Sequence, residues 1–185
     1  SLMHKYLPKF YHFIDNLNIK NIENLDKKIG IIYRNYQKKP NENEIYRFKN
    51  FCKKNKRKFL ISNYIELVNK YNLDGFYIPS FNKKKFYMGK KNSKKFILVG
   101  SAHNIKELRI KEAQGVQQII LSPLFKSKNS NRPLGLYRYN LLATQTKLQT
   151  LALGGVNKNN VKFLKIIKVK GFVSITYFKS VNSKS

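Results

Sequence analysis

Eight times along this chain a short, unbroken apolar run gives way to a polar break. The runs are Phe10-Tyr11-His12-Phe13-Ile14, Gly30-Ile31-Ile32-Tyr33-Arg34, Phe59-Leu60-Ile61, Asp74-Gly75-Phe76-Tyr77-Ile78, Phe96-Ile97-Leu98-Val99, Ile119-Ile120-Leu121, Leu151-Ala152-Leu153 and Phe172-Val173-Ser174-Ile175. They are continuous rather than alternating, as strands of a parallel sheet buried on both faces must be. Between them lie helix signals. Asn41 with Glu44, Asn63 with Glu66 and Asn104 with Glu107 have capping-box spacing, and Ile45, Phe48 and Cys52 fall on one helical face. Tyr137, Leu141 and Leu142 mark a helix after the sixth run, and Val161, Leu164 and Ile167 another after the seventh.

Strand then helix, eight times over, predicts an α/β fold: a (β/α)₈ TIM barrel occupying residues 1–185 as one domain. Ser1 and Leu2 ahead of Met3 read as an expression scar. The 185 residues fall below the roughly 200 at the low end of that fold, so the barrel must be compact. Helices after strands one, four and eight are expected to be short or missing. An open doubly wound sheet is the alternative, but no Gly-rich dinucleotide turn follows the first strand.

In such a barrel, function sits on the loops after the strands' C-terminal ends. That rule gathers Asp15-Asn16, Arg34, Ser62-Asn63, Asn82, Ser101, His103, the polar loop 122–131, Gly154-Gly155 and Thr176-Tyr177 at one mouth. Gly154-Gly155 reads either as a backbone cradle for an anion or as a plain turn. His103 reads as an acid/base group or as a helix-start residue, His12 as structural or barrel-lining. Asn63 reads as a helix cap, and Cys52 as core.

The charge is extreme, with 38 Lys+Arg against 9 Asp+Glu, a net +29. Either a polyanionic partner or AT-rich codon drift accounts for it, and abundant Asn, Ile and Tyr favour drift. The lysine runs are therefore read as solvated surface and nucleic acid is not the expected partner. Clustering on one face away from the mouth would reverse that reading. Cys52 is the single cysteine, which excludes an internal disulfide and suits a reducing cytoplasm. No apolar run is long enough to span a bilayer.

Three motifs carry a family resemblance: Ser101-Ala102-His103, Leu121-Ser122-Pro123-Leu124-Phe125-Lys126-Ser127 with Pro133-Leu134-Gly135, and Leu151-Ala152-Leu153-Gly154-Gly155-Val156. In order and spacing, from about residue 30 to 176, they resemble the thiamine phosphate synthase/TenI group of phosphate-binding barrels. The resemblance implies phosphorylated thiazole or pyrimidine ligands. It implies that Arg34 and Ser101 serve the pyrimidine substrate. It further implies that Ser127, Lys128 and Asn129 touch the thiazole phosphate, and that Gly155, with Gly154 beside it, joins Ile175 and Thr176 in a backbone cradle for that phosphate.

The pattern also departs from the family. The Gln two residues before Arg34 is Ile32, the Lys two residues after it is Tyr36, and Asn-Asp at the end of strand three is Ser62-Asn63. The two acidic Mg²⁺-ligand positions fall at Asn63 and Asn82, and neutral amides are poor partners for a hard dication. Mg²⁺ is expected only if pyrophosphate chemistry survives. The thiazole tautomerase branch resembles this chain in keeping the Ser-x-His histidine, and its proton transfer needs no metal. The expectation is thus an enzyme of thiamine biosynthesis or salvage, a diverged synthase or a tautomerase using His103. A non-catalytic phosphate-ligand or nucleic-acid binding barrel is the alternative. The short eighth helix, leaving a sheet flank bare, suggests a homodimer.

Overall fold

The computed structural model describes residues 6–85, 95–128 and 130–182. Ser1, Leu2 and the stretch 86–94 lie outside the described residues, so the expected economy after the fourth strand falls partly outside them too.

Eight parallel strands close in sequence order into a barrel. They are β1 (Phe10–Ile14), β2 (Gly30–Tyr33), β3 (Phe59–Ser62), β4 (Gly75–Ile78), β5 (Ile97–Ala102), β6 (Gln118–Leu121), β7 (Gln149–Leu153) and β8 (Gly171–Ser174). Closure runs through β1 and β8, where Tyr11 lies opposite Val173. The predicted TIM barrel is the observed fold.

Pleating sends alternate side chains to opposite faces, and both faces are dry. Tyr11, Phe13, Ile32, Tyr77, Val99 and Ile120 fill the barrel, while Ile31, Ile61, Phe76, Leu98 and Ile119 face the outer layer. This is why the runs are continuous. The floor is sealed by polar groups: Tyr11 donates to Gln118 Oε1 at 2.7 Å, and Gln118 Nε2 donates to the Pro8 carbonyl at 2.8 Å.

The outer layer holds α1 (Glu42–Lys54), α2 (Ile65–Tyr71), α3 (Ile105–Ala113), α4 (Gly135–Thr144) and α5 (Tyr177–Asn182), with 3₁₀ turns at Ile19–Asn21 and Val161–Ile166. Asn41 caps α1 through its side chain, and Ile45, Phe48 and Cys52 are the buried stripe, as the spacing requires. The units after β1 and β8 are a three-residue turn and a six-residue helix, so both expected economies appear.

Four expectations are corrected. Asn63 does not cap α2: Tyr64 holds that position without a side-chain bond, because Asn63 is left-handed at φ 67°, away from the extended conformation of an N-cap. The segment after β7 is 3₁₀ rather than α, and Val161, Leu164 and Ile167 indeed recur every third residue, the 3₁₀ period. In α4 the inward residues are Tyr139, Leu142 and Ala143, leaving Tyr137 and Leu141 exposed. The flank of β1 and β8 is covered: Phe178 of α5 stacks on Phe172 at 5.3 Å and lies edge-on to Phe10 and His12. The bare flank that suggested a second subunit is absent.

Candidate functional site

Strand ends decide what meets at the mouth. β5 delivers Ser101 facing inward and His103 just beyond its end. Ser101 is buried, and its Oγ accepts the Tyr77 hydroxyl from neighbouring β4 at 2.9 Å. Burial pushes the Tyr77 phenol up, opposed by its hydrogen bond to Ser101 and by the nearby Arg34 charge. Arg34 itself lies with its guanidinium carbon 4.2 Å from the centre of the Phe13 ring. Ser101 bonds Tyr77 and the Arg34 charge lies near the same phenol, so Tyr77, to which motif reading assigned no role, stands between the two.

His103 is held separately. Its Nδ1 lies 2.8 Å from the Ser122 carbonyl at the end of β6, and its Nε2 lies 3.1 Å from Ser80 Oγ beyond β4. A carbonyl only accepts, so Nδ1 carries a hydrogen and, in the neutral ring, Nε2 offers its lone pair to the Ser80 hydroxyl. Glu107 fixes the approach: its carboxylate accepts the His103 amide at 2.7 Å, while Asn104 caps the Glu107 amide at 3.0 Å. His103 therefore carries a cap-associated backbone and a differently engaged ring. Of the two readings of His12 the structural one agrees with its burial and barrel-lining is corrected, because His12 points outward beneath α5.

Beside β1, β2 and β8 a cavity of about 230 Å³ is lined by Phe13, Asp15, Asn16, Arg34, Ile175 and Lys179, among others. Four residues named from the sequence, Asp15, Asn16, Arg34 and Ile175, meet there. Lys179, one turn into α5, was missed; its one signal was a cation three residues after Thr176.

The remaining phosphate candidates are partly committed to the fold. Gly154 and Gly155 both have positive φ, and a Cβ on Gly155 would stand 2.5 Å from the Lys126 carbonyl oxygen. Leu124 and Phe125 amides bond the Leu153 and Gly154 carbonyls at 2.8 and 3.0 Å. The close approach that needs glycine is therefore to the loop after β6. Ser127 and Ser130 exchange two backbone bonds of 3.1 Å, with exposed Lys128 in the turn; Asn129 lies outside the described residues. The Thr176 amide donates to Ser174 Oγ at 3.2 Å, so it too has an acceptor within the fold.

Asn82 is similarly engaged. Its side-chain oxygen accepts the Lys84 amide at 3.1 Å, and its carbonyl accepts the ammonium of buried Lys111 at 2.6 Å. Burial pushes Lys111 down to about 8. Among the described residues no group of three His, Cys, Asp or Glu side chains is placed to hold a metal ion, and no helix is long and apolar enough to cross a membrane.

A closed parallel barrel with polar side chains gathered at the C-terminal ends of its strands is a (β/α)₈ barrel, the class whose functional sites lie at that end. Within that class, the chain is a member of the thiamine monophosphate synthase family, whose profile matches residues 24–177. It is 24% identical over 183 residues to "Putative thiamine-phosphate synthase 2" of Aquifex aeolicus, covering 93% of this chain and 98% of that protein. It is 26% identical over 121 residues to thiamine-phosphate synthase of Prochlorococcus marinus, a match to 64% of this chain but 35% of that longer protein. The thiamine phosphate pyrophosphorylase of Pyrococcus furiosus superposes with a TM-score of 0.74 over 91% of this chain and 86% of that one, at 18% identity.

Proposed function

We propose that this chain is a thiazole-phosphate isomerase of the family, with His103 moving a proton between two positions on one ligand. The observation that carries the reading is the imidazole held between Ser122 and Ser80, which leaves Nε2 as the basic nitrogen. An isomerisation needs one group that both takes and returns a proton, and imidazole is the side chain whose ordinary range spans neutrality. In the neutral ring, Nε2 removes a proton from a ligand carbon after releasing the Ser80 hydroxyl. The resulting imidazolium keeps its Nδ1–H on the Ser122 carbonyl and returns the Nε2 proton at the second position.

Arg34 and Lys179, lining the cavity beside β8, are the cations this reading assigns to the phosphate. A guanidinium held over an aromatic ring is oriented before the ligand arrives. Ser101 belongs to this arc through Tyr77, as a positioning hydroxyl rather than an acid.

Mg²⁺ does not fit the donors at the family's metal positions. Asn82 has its amide oxygen on Lys84 and its carbonyl on the Lys111 ammonium, a cation where a dication would need anionic oxygen. Asn63 offers only a neutral amide. Tyr36 replaces the family's lysine. Its phenol is pushed up by burial first and by neighbouring Tyr77 next. A phenol kept neutral cannot balance a departing pyrophosphate as an ammonium does.

The test is isomerisation of the thiazole carboxylate phosphate in deuterated buffer, followed by NMR, for wild type and His103→Ala. Turnover with deuterium incorporation that the variant loses supports the reading. Equal rates in both proteins, or Mg²⁺-dependent thiamine phosphate formation from the pyrimidine pyrophosphate, would overturn it in favour of no catalysis by His103 or of a synthase.

A further inference from the structure

The opposite end of the barrel carries a feature that the mouth does not explain. Six of the eight strands begin within three residues of an exposed lysine: Lys9, Lys28, Lys56, Lys95, Lys147 and Lys170 precede β1, β2, β3, β5, β7 and β8. In a parallel barrel all strand starts lie on one face, so these lysines ring the floor.

Two clefts open into that ring. One, of about 360 Å³, is lined by Lys49, Lys53, Lys56, Arg57, Lys58 and Asp74, with Asn72. The other, of about 430 Å³, is lined by Tyr6, Lys27, Lys28, Lys54 and Lys56, with Asn55. Lys56 lines both, so the clefts are neighbours with that residue between them. The one carboxylate lining them, Asp74, is already taken by Lys58 Nζ at 3.0 Å and the Phe59 amide at 3.0 Å. Arg57 spends its terminal nitrogens on four backbone carbonyls and has Asp26 as the nearby carboxylate. The cleft linings together carry many more cations than carboxylates, with Asp74 in the lining and Asp26 beside Lys28.

Lys56 adds a second, independent observation. It sits one residue beyond the C-cap of α1 at φ 53°, its amide bonding Lys53 O and the Arg57 amide reaching back to Cys52 O. Glycine is the favoured residue there, since a Cβ is penalised in the left-handed region. A lysine at that position keeps a cation between the two clefts, at a cost to the helix end that glycine avoids.

We propose that the N-terminal face of the barrel binds single-stranded nucleic acid through its phosphodiester backbone. A concave, cationic path beside an aromatic side chain is the general form of such sites: lysines track the phosphates and Tyr6, 57% exposed, offers a ring for a base to stack on. An anionic membrane is the weaker match, because neither cleft is lined by an aliphatic or Phe side chain able to enter acyl chains. The site is on the face opposite His103, so binding there and turnover at the mouth are separately measurable.

The experiment is fluorescence anisotropy of a labelled single-stranded 20-mer with the full chain between 50 and 250 mM NaCl. Binding that persists at 150 mM salt, with a log–log salt slope of about −3 from four or so phosphates, is expected. Lys28→Glu/Lys54→Glu/Lys56→Glu should lose at least tenfold in affinity at 150 mM and flatten the slope. Lys106→Glu/Lys162→Glu/Lys165→Glu makes the same charge change on α3 and the turn after β7 and should lose far less. Equal losses in both variants would mean net charge alone and would overturn the site. So would wild-type binding that vanishes by 150 mM, or phosphatidylserine vesicles being bound through the same three lysines while the oligonucleotide is not. Protection of Lys28, Lys54 and Lys56 from acetylation by the oligonucleotide, read on the wild-type protein by mass spectrometry, provides the check if the triple variant misfolds. Unchanged acetylation there would also overturn it.

Discussion

The Nε2 of His103 and the Oγ of Ser80 lie 3.1 Å apart, across residues that are 23 positions distant in sequence. With Nδ1 committed to a carbonyl, this hydroxyl is the group that Nε2 must release in order to act as a base. Replacing His103 with Ala should lower isomerisation turnover by about 10²–10⁴, the usual range for a lost general base. Ser80→Ala should keep turnover within about tenfold of wild type while shifting the pH–rate profile, because only the partner of the base is removed. Steady-state kinetics of both variants across pH 5–9 make the comparison.

Gly155 and Gly135 offer a controlled pair. Both have φ near +66–69°, but a Cβ on Gly155 would meet the Lys126 carbonyl at 2.5 Å, whereas at Gly135 nothing lies within 4 Å. Gly135→Ala should cost on the order of 1 kcal/mol from backbone strain alone. Gly155→Ala adds a collision with main chain, so its cost should be larger, about 2–4 kcal/mol. Urea denaturation of both variants tests the ordering.

Arg57 is 2% exposed, with its two terminal nitrogens on the carbonyls of Ile22, Leu25, Asp26 and Ile29. It ties the loop after the first 3₁₀ turn to the start of β3. Arg57→Met keeps much of the volume but strands these acceptors, and should cost roughly 3 kcal/mol or more. Lys56→Gln next to it, with an exposed side chain, should cost well under 1 kcal/mol.

His12 is fully buried, with Nδ1 on the Ser174 carbonyl at 3.1 Å and Nε2 without a partner. Burial, then the nearby Lys179 charge, pushes it down to about 4, with Ser174 opposing and Arg57 adding a little. The unfolded chain therefore binds the extra proton at a higher pH than the folded one. Stability from the neutral ring is full above the ordinary value of about 6.5 and falls as pH drops toward 4. A His12→Gln variant should show a flatter melting temperature between pH 6.5 and 4 than wild type, measured by calorimetry.

The barrel was readable because a strand buried on both faces leaves an unmistakable trace: Ile119-Ile120-Leu121 has nowhere to be except between two dry layers. Helix ends were less so. Asn63 satisfies the capping-box spacing, yet the chain turns left-handed there to leave β3, and no spacing rule reports φ. Tyr137 and Leu141 are apolar and helically spaced, but the helix's rotation is set by main-chain bonds at its start. The site was legible as a set of strand ends and not as contacts. Tyr77–Ser101 and Ser80–His103 join neighbouring strands through hydroxyls that carry no motif, and Lys179 enters the cavity from a helix too short to announce itself.

The loop after β6 leaves and returns through a narrow neck, where Leu134 N meets Pro123 O at 2.7 Å and Gly135 N meets Leu124 O at 3.0 Å. Phe125 and Lys126 still pack on Gly154 and Gly155, so the part of this loop that leaves the barrel begins at Ser127, whose backbone pairs with Ser130. Such a segment is an exchangeable cassette: lengthening or rewriting it costs little chain entropy and disturbs neither the strand before it nor the helix after it. The rim of the barrel can therefore change here from Ser127 onward while the strand and helix that carry it stay as they are.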